Sequence, residues 1–353
     1  MTPNTAFKGT ILITGANGGL GHQIVSQIVS SPELAGHYYG LYVVRDARSA
    51  PALLSALSGV DERDSHFYSI ESLDLSRLTS VRLFAASVNA RVAAGELQPI
   101  RALILSAGYS DMGLERLTED GFDMSFASNY LGHWLLTLLL LQSMDRECGR
   151  IVVLGSITHD VNHPMNKTTG YYDDEAWRTF FKDDDTIDAI ARGTWATNAI
   201  STPFLAGGRR YGASKMCTVM MIGELQRRLD TDPVLCQMSV VGIDPGTMYT
   251  GLIRNAPQYV KLLIFPLIIW PLSHLLAWFY SNPVIRTPAR SASDVLRVAM
   301  DVDPKLRGAY LDGTKLSSIA QEAADAEKNK NVWEHSVQYT HLTSQDTALR
   351  SWA

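Results

Sequence analysis

The stretch Ile13–Gln23, ITGANGGLGHQ, decides how the chain is read. Gly15, Gly18, Gly19 and Gly21 crowd into it, after the apolar run TILIT (10–14) and before Leu20, Ile24, Val25 and Ile28, which recur at helical spacing. A strand, a glycine loop and a helix in that order can receive a phosphate. Glycines let the backbone turn tightly and approach the ligand, and the helix N-terminus points free N–H groups at the anion. A purely structural turn is the competing reading, and the position between strand and helix favours the phosphate.

Outward from this loop, short β-branched or aliphatic runs recur at GLYVV (40–44), ALILS (102–106), IVVLG (151–155), MSVVGI (238–243) and GAYL (308–311). HFYSIESL (66–73) is a weaker seventh candidate. Between most of them lie amphipathic segments such as the one carrying Met216, Met220, Ile222 and Leu225. Apolar strands alternating with such helices predict an α/β fold, a Rossmann-type doubly wound parallel sheet of about seven strands with helices on both faces. No repeat and no Pro/Gly/Ser linker divides the chain, so residues 1–353 read as a single domain. Its interruptions are an insertion at 157–210, an expected substrate lid at 251–285 and a C-terminal extension at 312–353.

With 46% apolar residues among 353, a large core can be filled. A net charge of −5 without a basic run speaks against a nucleic-acid partner. Cys148, Cys217 and Cys236 have no metal-ligand spacing, which fits a reduced, cytoplasmic setting. No basic stretch precedes an apolar one near residue 1, so no signal peptide is expected.

The loop's spacing is T-G-x-x-x-G-x-G rather than G-x-G-x-x-G, and it resembles that of the short-chain dehydrogenase/reductase superfamily. Further motifs follow in that family's order. The resemblance implies that Gly15, Asn17, Gly18, Gly19, Leu20 and Gly21 hold a dinucleotide pyrophosphate, and that Asp74 and Leu75 of LDL contact its adenine. LSAG (105–108) stands where the family has N-N-A-G. Ser106, Ala107 and Gly108 are then expected to touch the cofactor, while Leu105 replaces the family's first Asn and brings no polar group. SNYLGHWLLT supplies Asn129, VVLGS ends in Ser156, and YGASK gives Tyr211 and Lys215. DPGTMYT adds Pro245, Gly246 and Thr247 to the cofactor set.

Tyr211 and Lys215 carry a physical argument of their own. Four residues apart on a helix, they share a face. A phenol of ordinary pKa near ~10 is a poor acid–base catalyst at neutral pH, and a nearby ammonium should lower it toward the working range. Ser156, at the end of a strand, can polarise a substrate carbonyl while hydride reaches its carbon and Tyr211 protonates its oxygen. By resemblance, Lys215 also holds the nicotinamide ribose and Asn129 supports a water chain. A buried Tyr and a surface Lys merely sharing a helix is the bland alternative.

The second strand ends in YVVRDARS. An acidic residue there suits the ribose 2′-hydroxyl of NAD, whereas an Arg suits a 2′-phosphate. Arg45 precedes Asp46, so NADP(H) is expected over NAD(H), with Asp46 on the ribose as the competing reading.

The 54 residues between Ser156 and Tyr211 resemble the branch of retinol dehydrogenases, protochlorophyllide reductases and fungal biosynthetic reductases. Asp173, Asp174, Glu175, Asp183, Asp184, Asp185 and Asp188 make the insertion acidic, and a solvated flap is expected rather than a metal site with His159 and His163. The segment YVKLLIFPLIIWPLSHLLAWFY (259–280) has nearly the length of a membrane span, interrupted by Lys261, Pro266, Pro271 and His274. It reads first as an apolar substrate lid, then as a peripheral membrane contact, last as a span. The expected activity is therefore an NADP(H)-dependent carbonyl reductase or alcohol dehydrogenase. Its substrate would be bulky and hydrophobic: a terpenoid, polyketide, steroid or retinoid, as in secondary-metabolite biosynthesis. C=C reduction and a non-catalytic dinucleotide sensor are the alternatives. Homodimerisation through helices is open, because the insertion and the extension could block those faces.

Overall fold

All seven apolar runs become strands of one sheet in the computed structural model, which describes residues 7–58, 66–112, 115–198, 201–301 and 303–353. They are β1 (Gly9–Thr14), β2 (Tyr38–Val44), β3 (Tyr68–Ser72), β4 (Ile100–Leu105), β5 (Arg150–Leu154), β6 (Ser239–Asp244) and β7 (Tyr310–Asp312). The spatial order is β3-β2-β1-β4-β5-β6-β7 with every pairing parallel, and the antiparallel β8 (Lys315–Leu316) closes the edge. Two residues carry no periodicity, which is why the eighth strand has no signature in the sequence.

Alternating strand residues feed two cores. Leu12, Leu41, Leu103 and Ile151 face one side, where α2 (Leu78–Ala93), α3 (Gly132–Leu140), α4 (Pro203–Thr231) and the C-terminal α7 (Ala326–Thr340) pack. Ile11, Ile13, Ile104, Val152 and Ile243 face the other, against α1 (Gly21–Val29) and α6 (Pro288–Met300). Ile24, Val25 and Ile28 of α1 are buried as their spacing requires. Each such side chain withdrawn from water stabilises the fold by about 1.5–3 kcal/mol. The apolar segment forms one continuous helix, α5 (Val260–Phe279), π-wound over Val260–Ile269 with Pro266 inside and α-helical over Trp270–Phe279; it stands between α4 and α6 in the chain.

The insertion differs from the expected solvated flap. Its carboxylates do face solvent, but Tyr171, Tyr172, Trp177, Phe180, Phe181, Ile187 and Ile190 are buried in the first core. Aromatic residues every few positions, overshadowed by the acid count, pin it to α4; its residues 199 and 200 lie outside the described ones. The C-terminal extension is anchored similarly. Trp333 packs edge-on against Trp134 of α3 with ring centres 5.1 Å apart, and Arg228 of α4 stacks over it at 4.4 Å. The extension thus covers part of the α3 and α4 surface.

Candidate active site

The glycine loop leaves β1 and lies against the end of β4. Gly15 has φ +69°, and a side chain there would sit 2.6 Å from the Ala107 Cα. A side chain at Gly21 would meet the Gly15 carbonyl oxygen at 2.2 Å, so both positions need glycine for close approach. No side chain caps the first turn of α1 and no acidic residue stands in it, which leaves the N-terminus open to an anion. Leu20 immediately precedes that turn, half-buried.

Other predicted cofactor residues are more engaged with the protein itself. Asn17 accepts a hydrogen bond from the Leu53 N–H at 3.1 Å. The Asp74 carboxylate accepts from the Ser76 N–H at 3.0 Å and its hydroxyl at 2.6 Å, and Leu75 is buried. Among the described residues, the buried Ser106 hydroxyl has no hydrogen-bond partner, and Ala107 donates its N–H to the Thr14 hydroxyl at 3.1 Å. Thr14 in turn meets the buried His133 Nε2 at 2.9 Å. Neither Thr14 nor His133 was singled out by the sequence, though Thr14 opens the TG pair. Gly108 borders the segment 251–285, with Leu252 Cδ1 3.6 Å from where its side chain would begin.

Asn129 sits in a π-helical turn (Ala127–Leu131) ahead of α3. Its amide accepts from the Tyr109 N–H at 2.7 Å and donates to the Tyr109 carbonyl and the Ser214 hydroxyl, both at 2.9 Å. The side chain therefore ties the end of β4 to α4. The backbone carbonyl oxygen of Asn129 meets His133 Nδ1 at 3.1 Å and accepts from the Thr218 hydroxyl at 3.4 Å.

Helix α4 brings in the Tyr-Lys pair. The helix starts at Thr202, whose hydroxyl accepts from the Leu205 N–H, with Pro203 at its first position. Lys215 is buried, donates to the Leu154 carbonyl at 2.7 Å, and lies 5.8 Å from the Tyr211 ring centre. Ser156 follows β5, its hydroxyl 3.0 Å from that of Thr158. Burial lowers the Lys215 pKa to about 8, with the Asp244 carboxylate opposing that fall. Burial and Asp244 together push the Tyr211 phenol above its usual value, and the Ser156 hydroxyl pulls the other way. This corrects the expectation that the neighbouring ammonium governs the phenol: desolvation outweighs it.

Asp244 ends β6. Its carboxylate accepts from the Gly246 N–H at 2.7 Å, and its carbonyl accepts from Arg286 at 3.0 Å. Gly246 takes φ +78°, and the Pro245 carbonyl accepts from the Ser291 hydroxyl at 2.5 Å. Thr247 donates its N–H to the Val284 carbonyl at 2.9 Å. Thr250, which sequence reasoning missed, packs on the glycine loop: its Cβ is 2.6 Å from where a Gly19 side chain would begin. Its signal was available, three residues beyond Thr247 in DPGTMYT.

At the end of β2, Arg45 is exposed and makes no ion pair or hydrogen bond among the described residues. Asp46 is held by Arg48, with contacts of 3.0 and 3.1 Å. Arg254, stacked 5.4 Å over Tyr109, feels the positive charge of Arg45. His159 is buried and structural. Its Nδ1 lies 2.6 Å from the Ser156 carbonyl oxygen, and its Nε2 accepts from the Ala320 N–H at 3.2 Å.

The glycine cradle, the uncapped helix N-terminus and the free Ser106 hydroxyl fit a dinucleotide. Comparison with known proteins agrees. The sequence profile of short chain dehydrogenases matches residues 9–171. The short-chain dehydrogenase iccH of Talaromyces variabilis is 41% identical over 98% of this chain and 99% of its own length. Human retinol dehydrogenase 13 is 29% identical over 94% of this chain and 85% of its own. The fold is shared with the NADP-bound angucycline C-6 ketoreductase LanV, at a TM-score of 0.57 and 17% identity, over 88% of this chain and 96% of that one. By sequence and by architecture, the chain belongs to the short-chain dehydrogenase family of oxidoreductases.

Proposed function

We propose that the protein is an NADP(H)-dependent carbonyl reductase acting on a bulky, apolar ketone or aldehyde, such as a terpenoid, polyketide, steroid or retinoid. The observation that carries this reading is the convergence of Ser156, Tyr211 and Lys215 at the carboxyl end of β5. Bound NADPH would supply the hydride. Gly15, Gly18, Gly19, Gly21 and the α1 N-terminus would hold its pyrophosphate, with Arg45 on the 2′-phosphate and Lys215 on the nicotinamide ribose. The Ser156 hydroxyl would donate to the substrate carbonyl oxygen and fix its position. Tyr211 would give that oxygen its proton as the carbon is reduced. A phenol whose pKa is raised stays protonated in the neutral range, which suits a proton donor.

Support for an apolar substrate comes from a small apolar cluster. There Met112 and Phe204 pack against Ile253, Ala256, Val260 and Phe265, which belong to the segment 251–285 proposed as the lid. Tyr211→Phe tests the function. Turnover of lipophilic ketones should fall ~10²–10⁴-fold while NADPH affinity stays within about a few-fold, since general-acid roles contribute that much to rate. A variant retaining more than about a tenth of the rate would exclude Tyr211 as the acid. Deuterium delivered to a carbon–carbon double bond rather than to the carbonyl carbon would replace ketone reduction with C=C reduction.

A further inference from the structure

Helix α5 is apolar on the face it turns outward. The half-buried stripe Lys261, Phe265, Ile269, Leu272 and Leu276 leans toward the body at helical spacing, and only Val260 and Ser273 are fully buried. The opposite face carries Leu262, Leu263, Leu267, Ile268, Leu275 and Trp278, the last 89% exposed. A surface helix in water keeps polar residues on that side. Tyr259 stands exposed at one end, and Phe279 and Tyr280 at the other, an amphipathic-aromatic placement that suits a membrane–water boundary.

The flanks decide how such a helix meets a bilayer. At its start, Ile253, Ala256 and Val260 are buried and Asn255 donates to the Ser110 carbonyl at 3.2 Å. Just after its end, Asn282 donates to the Asp312 carbonyl at 2.9 Å and Ile285 pairs with Thr247. Twenty helical residues extend about 30 Å, the thickness of a hydrocarbon core. Were α5 to cross, residues 281–285 would have to return to the sheet over that distance, yet five extended residues reach only about 17 Å. A span is excluded, and a helix lying in the interface is not.

Charge points to the type of surface. From Pro245 to Ser293 the sequence contains no Asp or Glu, in a protein of net charge −5. Arg254 and Lys261, at the start of α5, donate only to backbone carbonyls and make no ion pair among the described residues. We propose that the outer face of α5 docks the protein, in the plane of the interface, onto an anionic lipid surface. Apolar burial would supply the attachment, and the local absence of carboxylates would remove repulsion from the headgroups. This proposal concerns binding alone and stands whether or not the assigned reaction does.

Co-sedimentation of the full chain with vesicles of phosphatidylcholine and phosphatidylserine tests it, without any activity measurement. Wild type should pellet with them, and less with phosphatidylcholine alone. The variant Leu267→Glu/Leu275→Glu/Trp278→Glu should lose about tenfold or more of this partitioning, because three apolar anchors no longer enter the interface. All three side chains are exposed, so its melting temperature and NADPH affinity should be unchanged; Trp278→Ser alone, with a smaller loss, guards against a folding defect. Wild type remaining in the supernatant, or the triple variant pelleting equally, would overturn the proposal. So would a wild-type dimer that the triple variant dissolves in the absence of vesicle binding, since the face would then belong to a second copy. Equal recruitment by both vesicle types would overturn the anionic preference.

Discussion

Gly212 follows Tyr211 directly in α4, and its missing side chain is where the insertion presses on the catalytic helix. A Cβ at this position would stand 1.9 Å from the Tyr172 hydroxyl and 2.9 Å from the Thr158 carbonyl oxygen. The Tyr172 hydroxyl itself donates to that carbonyl at 2.9 Å. Gly212→Ala must therefore displace the phenol. Overpacking of this kind costs about 1–3 kcal/mol, and the broken hydrogen bond adds about 1. The better helix propensity of alanine returns about 1, leaving a net loss of roughly 2 kcal/mol. Tyr172→Phe alone should cost about 1 kcal/mol through the unsatisfied carbonyl. In its background, however, the new methyl meets the ring only at Cζ, 3.3 Å away, plus the residual approach to Thr158. The double variant should thus lose about 1–2 kcal/mol rather than the roughly 3 expected from addition. Urea unfolding of the four proteins gives the coupling directly. Turnover should follow it, falling in Gly212→Ala as Tyr211 shifts and recovering in part in the double variant. Losses that add within about 0.5 kcal/mol would refute the contact.

Arg45→Ala should weaken NADPH while leaving NADH nearly untouched, as fluorescence titration of both dissociation constants will show; equal losses would remove Arg45 from the 2′-phosphate. The Lys215 ammonium, held at a pKa of about 8, should be lost as pH rises through that value, so NADPH affinity should decline there and the decline should move to higher pH in Lys215→Arg. Burial lowers the His133 pKa from 6.5 to about 4. Between these values the unfolded chain takes up a proton that the folded chain resists, so stability present above pH 6.5 is lost as pH falls toward 4, by up to about 3 kcal/mol. His133→Gln should flatten that part of a pH series of urea melts, although His66 and His159, also lowered by burial, will leave some slope.

The sheet was legible because buried parallel strands are apolar throughout, so TILIT or IVVLG needs no context to be read. Site residues near a strand end or a glycine were legible too, since backbone demands restrict what can stand at Gly15, Gly21 and Gly246. What the sequence concealed depends on contacts between distant segments. Tyr172 against Gly212, Thr250 against Gly19 and His133 against Thr14 each join residues dozens of positions apart. The insertion looked like a solvated flap because its acids outnumber the aromatic residues that bury it. The Tyr211 phenol was misjudged for a related reason: an ion four residues away is visible in the sequence, and the desolvation that outweighs it is not.

Every excursion described for the site, from the glycine loop to the insertion and α5, departs from the carboxyl ends of the strands. Among the described residues, the opposite rim carries short returns such as 145–149, which leads into β5. The thiol of Cys148 stands exposed in this turn, whereas Cys217 is buried and Cys236 half-covered. Five residues of β5 put that thiol about 17 Å from Ser156. A maleimide dye or a surface tether attached at Cys148 would hold the enzyme by its back, with cofactor loop, insertion and apolar helix all directed away from the support.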